Sequence, residues 1–427
     1  MARKPHLGVI ADDFTGATDI ASFLVNNGMS TVQLNGVPAD NYQVDADAIV
    51  ISLKSRSCPV EEAVQDSLNA LTWLQSKGCQ QFYFKYCSTF DSTPKGNIGP
   101  VTDALLNALN ETQTIISPAL PVNGRTVYKG YLFVMDQLLS ESGMRNHPVT
   151  PMTDSNLLRL MDAQSIGRSG LIDATVMDQG VNAVTEKLTQ LKTDGIRYVV
   201  MDTLNEEHLL TQGKAVRNMK LVTGGSGLAI GLARQWADPA QDKEAAKLAG
   251  APQGEKCVVL SGSCSVMTNQ QVKAYKQKAP ARLVEIEHCF ASDEARENYV
   301  NEVCQWIEQH AGQALAPLLY ATTEPETLKV VQTQWGAEKA SHAIEALFAA
   351  VSRRLLAAGF NRFIVAGGET SGVVVQSLGI KAFYIGPTIS PGVPWVKSVD
   401  HPISLALKSG NFGDVDFFSR AQEEFAV

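Results

Sequence analysis

The stretch IADDFTGATD sets two acids, Asp12 and Asp13, directly after an apolar run, followed by Thr15, Gly16 and a helical pattern. Carboxylates at the end of a buried strand need partners. Capping the helix that begins near Thr15 explains one of them, since the helix dipole favours an anion there. The other is spare, and a spare carboxylate in such a turn can orient a substrate hydroxyl or act as a general base. The sequence leaves open which acid does which.

Three more polar turns follow in the first half: SLKSRS, FKYCSTFDSTPKGNIG and PALPVNGRTVYKG. Together the four turns offer acids (Asp12, Asp13, Asp91), cations (Lys54, Arg56, Lys85, Lys95, Arg125) and hydroxyls (Thr15, Ser88, Ser92, Thr93). That mixture suits a small, hydroxylated, anionic ligand. An arginine fork holds a carboxylate at two points, and aspartate accepts from hydroxyls. Any one of these cations is equally an ordinary loop ion pair; four such turns together favour a site.

The second half carries glycine turns instead: LSGSCS, AGGETSG and LKSGNFG. Gly367 and Gly368 let backbone N–H groups approach an anion, and a helix starting near Thr370 directs its dipole there. Ser261, Ser263 and Ser265 add hydroxyls. Three such turns fit a nucleotide site. Glu369 can help hold Mg²⁺ through water or cap the helix start. No G-x-x-x-x-G-K-[ST] loop and no H-R-D with D-F-G pair exists, which excludes P-loop and protein-kinase chemistry. In KLVTGGSGLAIGLA, Gly225, Gly227 and Gly231 miss the dinucleotide fingerprint by one residue, with no ribose-binding acid about twenty residues on. Those glycines are expected to serve a tight turn into a helix. His147 and His401 each precede a proline and read as loop histidines, and no G-x-S-x-G hydrolase elbow is present.

Strand-like apolar runs must position these turns. LGVIA, STVQL, DAIVISL, QQFYFKY, TQTIIS, RYVVMD and MKLVT alternate with helical patterns in the first half. In VEEAVQDSLNALTWLQSKG, apolar residues from Val60 to Leu74 fall at helical spacing before Gly78. After ADPAQDKEAAKLAGAPQGEK a second series starts: CVVLSGSCS, ARLVEIE, PLLYATT, NRFIVAGG, KAFYIGP and ISLALKSG. The pattern predicts an α/β protein of two lobes, each with a mostly parallel sheet flanked by helices and with the active site in the cleft between them. The lobes are expected at residues 1–236 and 257–427, joined by a linker at 237–256.

The 427 residues are 44% hydrophobic and 19% charged, an ordinary globular composition. A net charge of −8 argues against a nucleic-acid or anionic-membrane partner. No run approaches the roughly 18 apolar residues of a membrane span, and Asp12 and Asp13 interrupt any signal-peptide core. Seven scattered cysteines without C-x-x-C point to reduced thiols in the cytoplasm. Cys58, Cys79 and Cys87 are expected as small buried hydrophobes.

In this order the stretches IADDFTGATD, SLKSRS, DSTPKGN, PALPVNGRTVYKG, VTGGSG, LSGSCS, AGGETSG and GPTISPGVPW resemble the four-carbon acid sugar kinases over nearly the whole chain. The resemblance implies an N-terminal lobe for the sugar acid and a C-terminal lobe for ATP, with Mg²⁺. By that likeness Asp13 and Asp12 are the catalytic candidates, and Arg56, Lys85, Asp91 and Ser92 the substrate-side residues. On the nucleotide side stand Ser263, Ser265, Gly367, Gly368, Glu369, Thr370 and Gly410. Where many relatives carry D-S-T-L-R-G-N, this chain has Asp91-Ser-Thr-Pro-Lys-Gly-Asn97, exchanging a planar fork for a point charge. That version looks like the branch acting on 3-oxo-tetronate; the Leu-Arg version looks like the D-erythronate and D-threonate kinases. The implied reaction is transfer from ATP to the C4 hydroxyl of the oxo acid, with the two reduced acids as alternative acceptors. The rival classes are an NAD(P)-dependent sugar-acid oxidoreductase and a non-catalytic sensor. The oligomeric state is open, a homo-oligomer included.

Overall fold

Mostly apolar runs of two to nine residues, bounded by polar or glycine turns, form the strands of a computed structural model that describes residues 4–39, 42–146, 150–237, 247–410 and 412–425. The chain divides into two units, Met1–Ala246 and Lys247–Val427. Of the linker expected at 237–256, residues 238–246 lie outside the described residues, as does His147. The stretch after it packs on the second unit. A side chain at Gly250 would meet the backbone of Ile385 and Gly386, and Gln253 N donates to Ser404 Oγ.

The first unit contains β1 (Leu7–Ala11), β2 (Thr31–Asn35), β3 (Ala48–Ser52), β4 (Gln81–Lys85), β5 (Thr114–Ser117), β6 (Arg125–Tyr128), β7 (Tyr131–Val134), β8 (Gln137–Leu138), β9 (Ser169–Ile172), β10 (Tyr198–Met201) and β11 (Leu221–Gly224). Its main sheet runs β2-β3-β1-β4-β11-β5-β10-β9, with every pair parallel. β1, β3 and β4 are buried along their whole length, which is why they read as continuous apolar runs rather than alternating ones. From β1 the chain builds β2 and β3 on one side, then crosses to β4 on the other. The carboxyl end of β1 is therefore a topological switch point, where open α/β sheets bind ligands. Register aligns the three strand ends there, with Ala11 opposite both Ser52 and Lys85.

The second unit contains β12 (Cys257–Ser261), β13 (Ala281–Leu283), β14 (Leu318–Tyr320), β15 (Arg362–Ala366), β16 (Ala382–Ser390), β17 (Val393–Ser398) and β18 (Ser404–Lys408). Within it the order is β13-β14-β12-β15-β18-β17-β16. The strands from β13 to β18 are parallel, while β17 and β16 are antiparallel. The switch recurs: β13 and β14 lie on one side of β12, and β15 lies on the other. One apolar cluster joins Val259, Ile364, Trp395, Ala406 and Phe417, and Trp395 Nε1 donates to Ala421 O.

The fold departs from the sequence reading at its short elements. PALPVNGRTVYKG, read as a turn, holds β6 and belongs to a small antiparallel sheet of β6, β7 and β8. β9 and β17 were not anticipated, and ARLVEIE is strand only as far as Leu283, with helix Ile286–Cys289 following. The helix at Val60–Ser76 forms as expected, and Gly78 ends it at φ 92°. No helix among the described residues is long and apolar enough to cross a membrane.

The near-fingerprint GGSGLAIG proves to be packing. A side chain at Gly225 would lie 2.4 Å from Pro118 O, and one at Gly231 would lie 2.0 Å from Leu209 O. Gly231 faces Gly213, so helices Glu206–Ala215 and Leu228–Trp236 touch backbone to backbone. Gly231→Ala is therefore expected to destabilise the first unit by about 1–3 kcal/mol through overpacking. Denaturant unfolding measures it; a midpoint equal to wild type would show that the helices separate without cost.

Candidate active site

At the carboxyl end of β1 the two acids take different roles. Asp13 caps helix Phe14–Asn26: its Oδ1 accepts from Gly16 N at 2.7 Å, and Oδ2 accepts from Thr15 Oγ1 at 3.1 Å. Asp12 is the spare one, and Arg56 takes it up. The guanidinium donates from Nε to Asp12 Oδ2 and from Nη2 to Asp12 Oδ1, both at 2.9 Å. Arg56 Nη2 also lies 3.1 Å from Asp13 Oδ1, and Nη1 lies 3.9 Å from Asp91 Oδ2. The Asp12 side chain is 7% exposed, against 28% for both Asp13 and Arg56. Asp13 is thus the acid a ligand can reach, while Asp12 orients the arginine.

Burial pushes the Asp12 carboxyl up, and the charge and hydrogen bonds of Arg56 oppose that rise. Burial also works against the guanidinium, yet the charges of Asp12 and Asp13 hold it well above its ordinary value. The loop carrying Arg56 is fixed from two sides. Ser55 N and Arg56 N donate to Asp12 O, while Asn97 Nδ2 donates to Ser55 O at 2.8 Å and Cys58 O at 3.0 Å. Asp12, Arg56, Asp91 and Asn97 line one small crevice.

The remaining expected residues of the first unit divide. Asp91 accepts from Thr89 Oγ1 at 2.7 Å and is presented by Phe90, a fully buried aromatic at φ 49°. A bulky residue in that left-handed region is strained, and the strain sits one residue from the Asp91 carboxylate. Ser92 points inward instead: fully buried, its hydroxyl donates to Gln164 Oε1 at 2.6 Å. It shapes the loop and offers no hydroxyl to a ligand in this conformation. Lys85 is buried too, its Nζ donating to Tyr86 O at 2.7 Å beneath the first helical turn, where a side chain at Gly16 would come 3.0 Å from it. Lys54 and Lys95 are exposed. Asp19 was missed: Ser226 Oγ donates to its Oδ2, while its Oδ1 is buried with no hydrogen-bond partner. Its four-residue spacing from Thr15 on one helix was the available signal. Cys79 is buried as expected, but Cys58 and Cys87 are partly exposed. Burial and Asp91 push the Cys87 thiol up to about 12, which keeps it neutral.

In the second unit three turns converge at the ends of β12, β15 and β18. Gly262 N donates to Ala366 O, and Gly367 N to Lys408 O at 2.9 Å. Gly367 sits at φ 121°, and a side chain there would crowd Ser263 N and Thr370 Oγ1. Ser265 caps helix Val266–Tyr275, accepting from Thr268 N at 3.2 Å, and Ser265 N donates to Ser263 Oγ at 3.2 Å. A side chain at Gly410 would meet Ser263 Oγ at 2.6 Å, so glycine there lets the β18 turn lie against the serine turn. Gly368 and Glu369 are exposed at the start of helix Gly368–Ser377; Thr370 is buried. Ser263, Ser265, Gly367, Thr370 and Gly410 are thus one structural group. Lys408 and Thr268, at its centre, were not singled out from sequence. His401 is exposed in its loop.

Comparison with known proteins agrees with this division. Residues 7–232 match the model of a sugar-binding N-terminal domain and residues 258–418 that of a nucleotide-binding C-terminal domain. A Pectobacterium atrosepticum protein named 3-oxo-tetronate kinase is 70% identical over 421 residues, covering 99% of each chain. A Brucella melitensis protein of the same name is 62% identical, covering 98% of this chain and 95% of its own. A solved Salmonella typhimurium structure superposes with a TM-score of 0.93 at 61% identity, covering 98% of this chain and 99% of its own.

Arg56→Ala would leave Asp12 buried without its fork. We expect a loss of about 3 kcal/mol at neutral pH, as for other broken buried pairs. Burial already holds the native Asp12 carboxyl above its ordinary value, and with its main opposing charge gone that rise grows. The native state then holds a proton that the unfolded state has lost, so stability falls as pH rises through that window. The deficit should therefore shrink towards about pH 4. Urea unfolding at acid and neutral pH reads this out; an equal deficit at both would refute it.

Proposed function

The chain belongs to the four-carbon acid sugar kinase family, and from that we propose that it transfers the γ-phosphoryl group of ATP to the C4 hydroxyl of 3-oxo-tetronate, giving 3-oxo-tetronate 4-phosphate. The observation that carries the reading is the end-to-end likeness to 3-oxo-tetronate kinases, 70% identical over 99% of the chain. The two kinds of half-site support it. One strand end gathers acids and a guanidinium suited to a hydroxylated acid; the other gathers glycine turns and hydroxyls suited to phosphates.

In this reading Asp13, the accessible acid, accepts the proton of the C4 hydroxyl or orients that hydroxyl for attack. Arg56 faces the substrate carboxylate with the edge of its guanidinium that Asp12 leaves uncovered, and Lys85 adds positive charge from below. Asp91 accepts from a substrate hydroxyl. Asp12 holds the arginine and carries no proton in the step. The turns at Ser263–Ser265, Gly367–Thr370 and Gly410 hold the nucleotide. Phosphoryl transfer asks mainly for positioning and charge neutralisation, and these residues supply both.

Among the described residues no cluster of three or more His, Cys, Asp or Glu could cage a metal ion. In this reading Mg²⁺ is carried on the phosphates of ATP and meets the protein through water. Glu369, exposed at its helix start, is the carboxylate that would receive it. Bound there, Mg²⁺ neutralises phosphate charge. All seven cysteines are free thiols, which supports the cytoplasm as the protein's location. The oxidoreductase alternative loses its phosphate loop, because the GGSGLAIG glycines serve close backbone packing.

Coupled ADP release with ATP, Mg²⁺ and separately supplied 3-oxo-tetronate, D-erythronate, D-threonate and L-threonate tests the reading. Release with the oxo acid alone is expected. Preference for a reduced acid would overturn the substrate, and no acceptor-dependent release would overturn the kinase. Asp13→Asn should cut kcat by about 10²-fold or more, in the range for a lost general base, with ATP affinity kept. An unchanged kcat would remove Asp13 from the mechanism.

A further inference from the structure

Lys408, the last residue of β18, is completely buried. Its Nζ donates to Thr268 Oγ1 at 3.0 Å, Ser409 O at 3.0 Å and Gly410 O at 2.9 Å. All three acceptors are neutral. Thr268 extends the set: its hydroxyl donates to Gly410 O at 2.7 Å and accepts from Ser265 Oγ at 3.1 Å. The Lys408 carbonyl accepts from Gly367 N at 2.9 Å. One residue therefore ties the helix that follows β12 to the turns after β15 and β18.

A buried ammonium with only neutral partners costs stability, and an apolar chain of the same length would fill the slot without that cost. Burial pushes this ammonium down to about 7. The titratable side chains on the elements packed around it leave it unpaired. Burial keeps the Cys264 thiol neutral, Glu369 is exposed, Lys273 lies at the far end of its helix, and the Asp414 carboxylate is paired with Arg420. A charge kept at such a cost, directly beneath turns that offer N–H groups and hydroxyls, is explained by an anion arriving above it.

We propose that Lys408 is a positioning residue for nucleotide phosphates: its ammonium locks the Ser409–Gly410 turn to the Thr268 hydroxyl and gives the joined turns the positive charge that ATP meets. The inference rests on the nucleotide half-site reading above. It goes beyond that reading by assigning affinity to a side chain that never touches the ligand. ATP binding favours the protonated lysine, so affinity should weaken as pH rises above neutrality.

Calorimetry of ATP binding with saturating Mg²⁺ at pH 7 and pH 9, together with thermal melting and the KM for the sugar acid, tests this in the full chain. Lys408→Met is expected to weaken ATP binding at pH 7 by about tenfold or more, as loss of a unit charge buried a few ångströms behind an anion does. It should also flatten the pH dependence, leave the sugar-acid KM within about twofold and melt no lower than wild type. Thr268→Val should weaken ATP binding but keep the pH dependence, because the ammonium remains. A Lys408→Met chain that binds ATP like wild type, or that only melts lower, overturns the proposal. Should that variant not fold, unchanged affinity in Thr268→Val overturns it. A wild-type chain that binds no ATP overturns the half-site reading itself; wild-type binding beside an unaffected variant overturns only the role of Lys408.

Discussion

The two-point contact between Asp12 and Arg56 is the constraint on which the N-terminal site depends. The residues are 44 positions apart in sequence, and parallel pairing of β1 with β3 brings them together. Once the fork is made, three other features follow. The loop after β3 is fixed, Asp13 is left as the accessible acid, and one edge of the guanidinium stays open towards Asp91. A buried ion pair of this kind is weak evidence for stability. Its value lies in geometry, because a planar fork held at two points cannot rotate and a point charge can. Asn97 adds a second restraint from helix Ile98–Ala108, so the arginine is held from both flanking segments.

The C-terminal unit meets the same topological problem by other means. Its three strand-end turns are stitched by backbone N–H groups, serine and threonine hydroxyls and a single ammonium, with no acid among the partners of that ammonium. The contrast follows from the ligand each would receive. A sugar acid presents hydroxyls and one carboxylate and needs both signs of charge. A polyphosphate presents only anionic oxygens and needs donors, and a carboxylate beneath them would repel it.

Much of this was legible from sequence because strands buried on both faces read as unbroken apolar runs, and their ends read as polar turns. Most of the parallel strands in both units were readable in that way. The antiparallel strands were less so: β6 and β7 are short and half exposed, and β17 follows its partner after only Pro391 and Gly392. At the site, residue type showed which turns mattered but not which way each side chain faced. Ser92 and Asp91 are neighbours of equal promise in sequence, yet Asp91 lines the crevice beside Arg56 while Ser92 turns into the Gln164 contact. Asp12 and Asp13 are likewise adjacent, and only the helix start decides which is spare. Lys408 was overlooked because a lysine at a strand end reads as solvated; its burial comes from tertiary packing that no local pattern reports.

The position of β11 has a consequence for how the chain is made. It lies between β4 and β5, which end at Lys85 and Ser117, but it begins only at Leu221. During synthesis the two strands that will flank it are complete about a hundred residues before it exists. Each keeps an unpaired edge until then, which is a ready template for pairing with another chain. Ser226, the partner of Asp19, arrives with the same late strand. The nascent chain therefore passes through a long interval in which its central sheet has an open slot.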